Sequence, residues 1–488
     1  MMSRILFPLL FLFLCAACRG EHHPSPSAPR LFRCTDCHSL ELDPSHRLPC
    51  TSCHRGNDRA PDKESAHLQL VSRPAHPDVM EAACGPCHGQ EVAQAARSAH
   101  FTLLALTNSF RQAFGATETL TDFREVPQHD TPQDILELAD DLLRRRCFRC
   151  HPYTAGDDYP AVRRGVGCSA CHLSFTGGRL QSHSFQKPQD GRCLSCHYGN
   201  YVGFDYYGRF EHDYNAEYRT PYTTKEEHFR PYGVEYHQLA PDIHQQRGLV
   251  CRDCHSGSEL MGQSKDRPSC AACHTQTALE KALPPRTTKD GNGYIFTASD
   301  GRSHPLPLLR HPAHFDNPEK IACQACHAQW TFNDLGKHFL RSDDEDVDSW
   351  SLLATQGSSE VENFIEHNSD MEKAELSAAM TDKLSGMPRP GVWYKGYTMR
   401  RWEEPVLGRD ADGAINTLRP LLDYWLSWVD YDGKIRFNSI SSFDGRRGWR
   451  SYVPHTTGPA GVFYRKRIDF FLEAEQKQEV DETHPLSP

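Results

Sequence analysis

Two cysteines separated by two residues and followed directly by a histidine recur nine times in this 488-residue chain. Each such motif supplies two thiols that can add to the vinyl groups of a porphyrin and one imidazole that can bind its iron, as in c-type haem. Chance alone predicts roughly 0.05 such motifs in a chain with this content of cysteine and histidine. The nine motifs are Cys34-Cys37-His38, Cys50-Cys53-His54, Cys84-Cys87-His88, Cys147-Cys150-His151, Cys168-Cys171-His172, Cys193-Cys196-His197, Cys251-Cys254-His255, Cys270-Cys273-His274 and Cys323-Cys326-His327.

These motifs predict nine covalently attached haem c groups, held by the motif cysteines and coordinated through iron by the motif histidines. Two other interpretations of the cysteine pairs fit less well. Structural zinc sites also use Cys-x-x-Cys pairs, but zinc does not require a histidine after every pair. Disulfides are disfavoured because two cysteines three positions apart rarely reach good bridge geometry.

The first residues of the chain predict export and a lipid anchor. Residues 1–17 have the pattern of a signal peptide, with Arg4 before an apolar run that is too short to span a bilayer. The small residues before Cys18 resemble a bacterial lipobox, although Cys15 stands where leucine is commonest. Acylation of Cys18 would leave every other cysteine of the mature chain inside a haem motif. An ordinary cleavable signal is the alternative.

Composition divides the mature chain into three parts. Residues 18–33 are rich in proline and serine and predict a flexible tether. Residues 34–327 carry all nine motifs, and residues 328–488 carry all seven tryptophans but no cysteine, which predicts a haem-free C-terminal region. The formal net charge of −10 argues against nucleic acid or anionic lipid as partners. The lipid attached to Cys18 is then the only contact with a membrane that the sequence predicts.

Local patterns predict a few regular elements. Thr131 and Pro132 predict the start of a helix that runs towards Cys147. Residues 91–114 and 360–384 also have helical patterns, and Asp432-Gly433 predicts a hairpin turn. Nine of the 18 tyrosines fall in residues 198–236. They predict either aromatic packing around haem edges or a substrate channel.

Histidines in excess of the motifs predict that most irons have a second histidine ligand. Nineteen histidines lie outside the motifs, whereas methionine, the other common ligand, is scarce in the haem-bearing part. Several of these histidines stand shortly before a motif, where they can reach a neighbouring iron. The candidate distal ligands are His46, His67, His76, His100, His183, His237, His244, His311, His314 and His338. Close spacing further predicts near contact between motifs one and two, four and five, five and six, and seven and eight.

Four motifs occur together with characteristic flanking residues. They are Cys84-Gly-Pro-Cys87-His88 followed by His100, Gly165-Val-Gly before Cys168, Asp242-Ile-His244 before Cys251, and His311-Pro-Ala-His314 before Cys323. Over residues 34–340 the chain resembles the multihaem c-type cytochromes of bacteria that respire metals and oxyanions. As a lipoprotein it is similar to the outer-membrane cytochromes of electron conduits or of selenite and tellurite reduction.

The resemblance implies a mainly α and irregular fold organised around stacked haems, followed by a haem-free C-terminal α+β region. It also implies an outer-membrane location on the periplasmic or cell-surface face. The partners implied are other multihaem cytochromes and, for some members of the class, a porin.

Two functions remain open from the sequence. If every iron has two protein ligands, the protein is an electron carrier of the cell envelope. If one iron keeps an open position, the protein is a reductase of an oxyanion or nitrogen compound such as selenite, tellurite, tetrathionate or hydroxylamine. It would then resemble octahaem tetrathionate reductases and hydroxylamine oxidoreductases. No motif ends in lysine instead of histidine, which favours the carrier, and no catalytic residue is predicted.

Overall fold

The computed structural model describes residues 30–199, 203–212, 231–262, 267–315, 317–347, 357–420, 422–442, 449–461 and 463–483. The predicted signal peptide, Cys18 and nearly all of the predicted tether lie outside these ranges. Within them, no helix combines the length and the apolar character needed to cross a membrane.

Most helices before residue 328 are short and many coincide with the motifs. The helices are α1 Cys34–Cys37, α2 Thr51–His54, α3 Lys63–Ala66, α4 Met80–Ala95, α5 Ala99–Thr102, α6 Leu104–Ala113, α7 Ile135–Arg145, α8 Cys168–His172, α9 Asp190–Leu194, α10 Ile243–Gln246, α11 Cys251–Cys254, α12 Gly257–Leu260, α13 Cys270–His274, α14 Gln276–Lys281, α15 Cys323–His327, α16 Ser359–Asn368 and α17 Tyr464–Thr483.

The one-turn helices have a simple geometric reason. In a helix, residues i, i+3 and i+4 lie on the same face. A helical turn that begins at the first cysteine of a motif therefore turns both thiols and the imidazole towards one side. Helices α1, α8, α11, α13 and α15 all begin in this way.

The longer strands lie past residue 328, while short hairpins occur between the motifs. The strands are β1 Phe175–Thr176, β2 Arg179–Leu180, β3 Arg209–His212, β4 Glu235–Gln238, β5 Thr287–Asp290, β6 Gly293–Thr297, β7 Ser303–Pro305, β8 Thr331–Ser342, β9 Ala379–Thr381, β10 Pro388–Pro390, β11 Val392–Glu403, β12 Leu407–Arg409, β13 Ile415–Pro420, β14 Tyr424–Val429, β15 Ile435–Ser441 and β16 Trp449–Ser451.

The largest sheet has the order β11-β8-β14-β15. Strand β8 pairs antiparallel with β11 and parallel with β14, and β14 forms the hairpin with β15 that Asp432-Gly433 predicts. Leu142 of α7 and Phe148 of the fourth motif pack in one core with Trp393 and Leu426 of this sheet. The cysteine-free region and the fourth motif are thus joined by shared apolar packing.

Three predicted helices have different bounds in the structure. Helix α7 begins at Ile135, not near Thr131, because the Asp134 side chain caps it by accepting the Glu137 N–H at 2.9 Å. The helix predicted over 91–114 is divided among α4, α5 and α6. Leu103 interrupts it, since its φ of 46° lies in the left-handed region.

The helix predicted over 360–384 is wrong beyond Asn368. There the Asn368 side chain donates to the backbone oxygen of Leu376 and accepts its N–H, each at 3.0 Å. These bonds hold a loop, after which the chain enters β9. Side-chain bonds to the backbone compete with helical hydrogen bonds in this way at many helix ends.

Candidate haem-binding sites

Six motif histidines each face a second histidine from elsewhere in the described chain. The distances between ring centres all lie between 6.1 and 6.3 Å. The pairs, with the motif histidine first, are His38 with His67, His54 with His183, His88 with His46, His197 with His100, His274 with His244, and His327 with His314.

This spacing fits one metal ion between two imidazoles. Histidine nitrogens bind transition metals at about 2 Å. Two such bonds, together with the distances from the nitrogens to their ring centres, give a separation of about 6 Å. Direct ring stacking would bring the rings closer, since aromatic pairs have centroids from about 4.5 Å. The histidine pairs therefore suit the bis-histidine coordination that the sequence predicts.

Hydrogen bonds at Nδ1 orient several of these rings. The Nδ1–H groups of His54, His274 and His327 donate to the backbone oxygens of Val71, Pro307 and Gly458 at 2.8 to 2.9 Å. Because a carbonyl oxygen can only accept, the proton lies on Nδ1 and the lone pair lies on Nε2. In metal sites, a histidine usually binds the metal through one ring nitrogen, while the other ring nitrogen donates a hydrogen bond that fixes the orientation of the ring.

Carboxylates orient the rings of two distal candidates through Nδ1. His46 Nδ1 lies 2.8 Å from an Asp43 oxygen, and His244 Nδ1 lies 2.8 Å from Asp242. Sequence reasoning did not select Asp43 as part of a site. The signal it offers is an aspartate two or three residues before a histidine, which is weak because such short pairs also occur in ordinary turns.

Four predicted distal candidates contact other groups instead of a motif histidine. His76 packs edge-on against Tyr153, and His311 packs edge-on against His314. His237 lies against Phe210 and Trp402, while His338 stacks on Trp425 at 5.6 Å. The strands that carry His237 and His338 direct these two rings towards aromatic side chains.

Three motif histidines are not part of such a pair among the described residues. His172 and His255 still have Nδ1 oriented, by the Gln186 oxygen at 3.0 Å and by Glu259 at 3.2 Å. His151 is different, because its Nε2 donates to the Phe101 oxygen at 2.9 Å. Burial lowers the pKa of His151 to about 4, so the ring is neutral at pH 7.

Thiols of different motifs lie close enough to change each other's pKa values. A hydrogen bond to a thiol of another motif is the largest cause of the raised pKa at Cys150, Cys251 and Cys270. For one thiol of each other pair, burial is the largest cause of the raised pKa, and the thiol of the neighbouring motif raises the pKa further. The pairs are Cys34 with Cys50, Cys53 with Cys87, Cys84 with Cys168, Cys171 with Cys193, Cys150 with Cys196, Cys193 with Cys251, Cys254 with Cys273, and Cys270 with Cys323.

These neighbours arrange the motifs in a line that runs first, second, third, fifth, sixth, seventh, eighth and ninth. Backbone contacts agree, since α9 of the sixth motif contacts both α8 of the fifth and α11 of the seventh. The Cys251 N–H also donates to Asp190 of α9 at 2.9 Å. If haem is attached, the sulfurs are thioethers that do not titrate, and their proximity is what matters.

The fourth motif lies beside the sixth, with Cys196 Sγ 3.3 Å from the Cys150 oxygen. Sequence spacing predicts the fourth motif next to the fifth, and their flanking residues are in contact, since the Gly167 N–H, just before Cys168, donates to the Pro152 oxygen, just after His151, at 2.7 Å. Helix α7 and the fourth motif also pack on the C-terminal sheet. The fourth motif therefore lies beside the line, next to both the fifth and the sixth motifs.

The tyrosine-rich stretch is described only in part. Tyr198 and Tyr232 stack at 5.9 Å and share a buried cluster with Phe204 and Tyr159. These described tyrosines pack against one another, as the first of the two sequence interpretations predicts. Residues 213–230, with three of the tyrosines, lie outside the described residues.

Comparisons with protein-family models, curated proteins and solved structures found no match to this chain.

Proposed function

We propose that this chain is a multihaem c-type cytochrome that carries electrons at the cell envelope through nine covalently attached haems, mostly with two histidine ligands each. The observation that carries the proposal is the set of six histidine pairs with ring centres 6.1 to 6.3 Å apart. In each pair one ring belongs to a Cys-x-x-Cys-His motif.

Haem iron, when bound, would supply one-electron chemistry. The residues of the chain hold and tune it. The motif cysteines fix its position, and the bonds at Nδ1 orient the ligand rings and raise their basicity. Burial lowers the pKa of His197 to about 4, so its imidazole is neutral and able to bind metal at physiological pH. Two histidine ligands favour lower potentials than a histidine with a methionine.

The proposed haem load has a direct test. Protein matured in a bacterial host with cytochrome c assembly should have the mass of the polypeptide plus nine haems. The pyridine haemochrome absorbance per polypeptide should agree with this number. Seven or fewer haems would contradict the proposal, and a protein without covalent haem would refute it.

A single distal ligand gives the next prediction. His244→Ala should convert one low-spin iron to high spin, because His244 is the ring that faces His274 at 6.1 Å. Electron paramagnetic resonance of the oxidised protein measures the change, while the haem load stays constant. His367→Ala is the matched control, since His367 Nε2 bonds the Ala374 oxygen in a loop without motifs. If both variants keep the wild-type spectrum, His244 is not a ligand.

We also propose that Cys18 carries a lipid that holds the protein at the outer membrane, on its periplasmic or cell-surface face. Other multihaem cytochromes, and a porin where the conduit crosses the membrane, are the proposed partners. Wild-type protein should incorporate labelled fatty acid, whereas Cys18→Ala should not and should appear in the soluble fraction. An unlabelled wild type would indicate an ordinary secreted protein.

A reductase is the second candidate function, and the surroundings of His151 favour it. No second histidine ring faces His151 among the described residues, and Phe123 and Tyr153 pack on it at 4.2 and 5.0 Å. The buried Arg164 donates to the His151 backbone oxygen at 3.3 Å. Iron could be held there only after His151 Nε2 releases the Phe101 oxygen, and an open position at that iron would then lie near the positive charge of Arg164, which attracts an oxyanion.

Carbon monoxide separates the two functions, because it binds reduced haem only at an open position. The carrier should show little carbon monoxide binding and no purified reductase activity. One carbon monoxide per protein, together with turnover of selenite, tellurite, tetrathionate or hydroxylamine, would establish the reductase. Loss of both in His151→Ala would place the open position at the fourth motif.

A further inference from the structure

His455 lies in a short segment between β16 and α17 that runs through the haem-bearing part of the fold. The Thr457 N–H donates to Asp242 at 2.7 Å, and Asp242 is the residue that orients His244. The Gly458 oxygen accepts from His327 Nδ1 at 2.9 Å. The segment therefore supports the candidate iron ligands of the eighth and ninth motifs, although it is far from every motif in the sequence.

The His455 ring is held like a distal ligand. Its backbone N–H donates to the buried Asp205 carboxylate at 3.1 Å, and its Nδ1 lies 3.9 Å from the same oxygen. Nδ1 is buried without a hydrogen-bond partner, yet the side chain as a whole is 37% exposed. The exposed part of the side chain consequently lies away from Nδ1. His46 and His244, with Nδ1 towards an aspartate, are similarly exposed at 32% and 36%.

The surroundings of His455 lead to the seventh motif. Its ring meets Tyr206 edge-on at 6.4 Å, and the Tyr206 hydroxyl donates to the Leu249 oxygen, two residues before Cys251, at 2.7 Å. His255, the histidine of this motif, is one of the motif histidines that lack a facing histidine ring among the described residues, whereas the neighbouring His197 already faces His100.

We infer that His455 would supply the second histidine ligand of iron held at the seventh motif, together with His255, an assignment that rests on the proposed function. The His455 ring contacts Tyr206, so binding one iron together with His255 would require the exposed side of His455 to turn towards the motif. Glu259 already orients His255 from Nδ1. Asp205 would act as the positioning residue for His455. The C-terminal region would then complete one haem site.

The first test is His455→Ala in the full-length, haem-loaded protein. Nine haems should remain, but one low-spin iron should become high spin by electron paramagnetic resonance, and the reduced variant should bind one more carbon monoxide than wild type. Added imidazole should restore the low-spin signal. His367→Ala serves as the control and should leave the spectrum unchanged. An unaltered spectrum in His455→Ala would overturn the assignment while the haem load still supported the proposed function.

A second variant tests the assignment even if His455→Ala misfolds. His455→Met should keep one iron low spin but change it from histidine–histidine to histidine–methionine ligation, which raises its potential. A methionine–iron charge-transfer band and one upshifted wave in a redox titration are the expected results. Nine haems with neither feature would refute the assignment. A wild-type protein without covalent haem would instead refute the proposed function.

Discussion

Loss of the sixth haem should divide the protein electrically into two parts. In the double variant Cys193→Ala and Cys196→Ala, eight haems should remain. With the protein attached to an electrode through a cysteine introduced at Ser39, beside the first motif, only the first, second, third, fourth and fifth should follow a fast potential sweep. The seventh, eighth and ninth should lag, because Cys193 adjoins both the fifth and seventh motifs, whereas the fourth motif stays beside the fifth through the Gly167–Pro152 hydrogen bond. Electron transfer slows steeply when the gap between neighbouring haems widens.

The measured quantity is the charge passed per protein at fast and slow sweep rates. The matched control removes the fourth haem by Cys147→Ala and Cys150→Ala. This variant also retains eight haems, but the line of the other motifs stays continuous and the full charge should appear at both rates. Equal fast charge in the two variants would mean that the motifs are connected by another route.

Loss of the Asp141 carboxylate should lower the free energy of unfolding by about 3–5 kcal/mol, the range for breaking a buried ion pair by removing one partner. Asp141 lies on α7 and accepts from Arg145 at 2.5 Å, from Arg341 of β8 at 3.3 Å and from the Trp393 indole at 2.9 Å. The side chains of Arg145 and Arg341 are fully buried. Asp141→Ala would leave Arg145 without its counter-charge in a medium that solvates charge poorly.

Urea unfolding followed by circular dichroism measures this effect at equal haem load. Asp158→Ala is the matched control, because the Asp158–Arg163 pair is exposed and pairs of that kind contribute about 0–1 kcal/mol. A loss in Asp141→Ala as small as in the control would contradict the prediction. The expected large loss would show that α7 and the C-terminal sheet are stabilised as one unit, because Asp141 joins them.

The candidate haem-binding residues could be proposed from the sequence because the attachment motif is local. Cys-x-x-Cys-His places three functional groups on one helical turn, and residues only three and four apart define that face. The hairpin at Asp432-Gly433 was predictable for a similar reason, since the turn needs a residue with positive φ and Gly433 supplies it with a φ of 69°. Helix ends were less predictable. The side chains of Asp134 and Asn368 fix them through hydrogen bonds, and other residues nearby in sequence could have formed such bonds instead.

The pairing of histidines was decided by the tertiary structure. His183 faces His54 and His100 faces His197, although long segments separate the members of each pair in the chain. Sequence could select ten candidates, but not which ring meets which motif, because that depends on how the intervening segments pack. His338 and His237 show the converse, since their strands turn both rings towards aromatic side chains.

The sequence by itself determined which residues can hold haem, how many motifs there are and on which side of each helical turn their ligands lie. Only the tertiary structure decided the order of the motifs in space, the contact of the fourth motif with the sixth and the position of His455. These depend on contacts between distant segments, such as Cys150 with Cys196 and Thr457 with Asp242. A local sequence pattern cannot specify such contacts, because they form only when distant apolar surfaces, such as those of α7 and the C-terminal sheet, pack against each other.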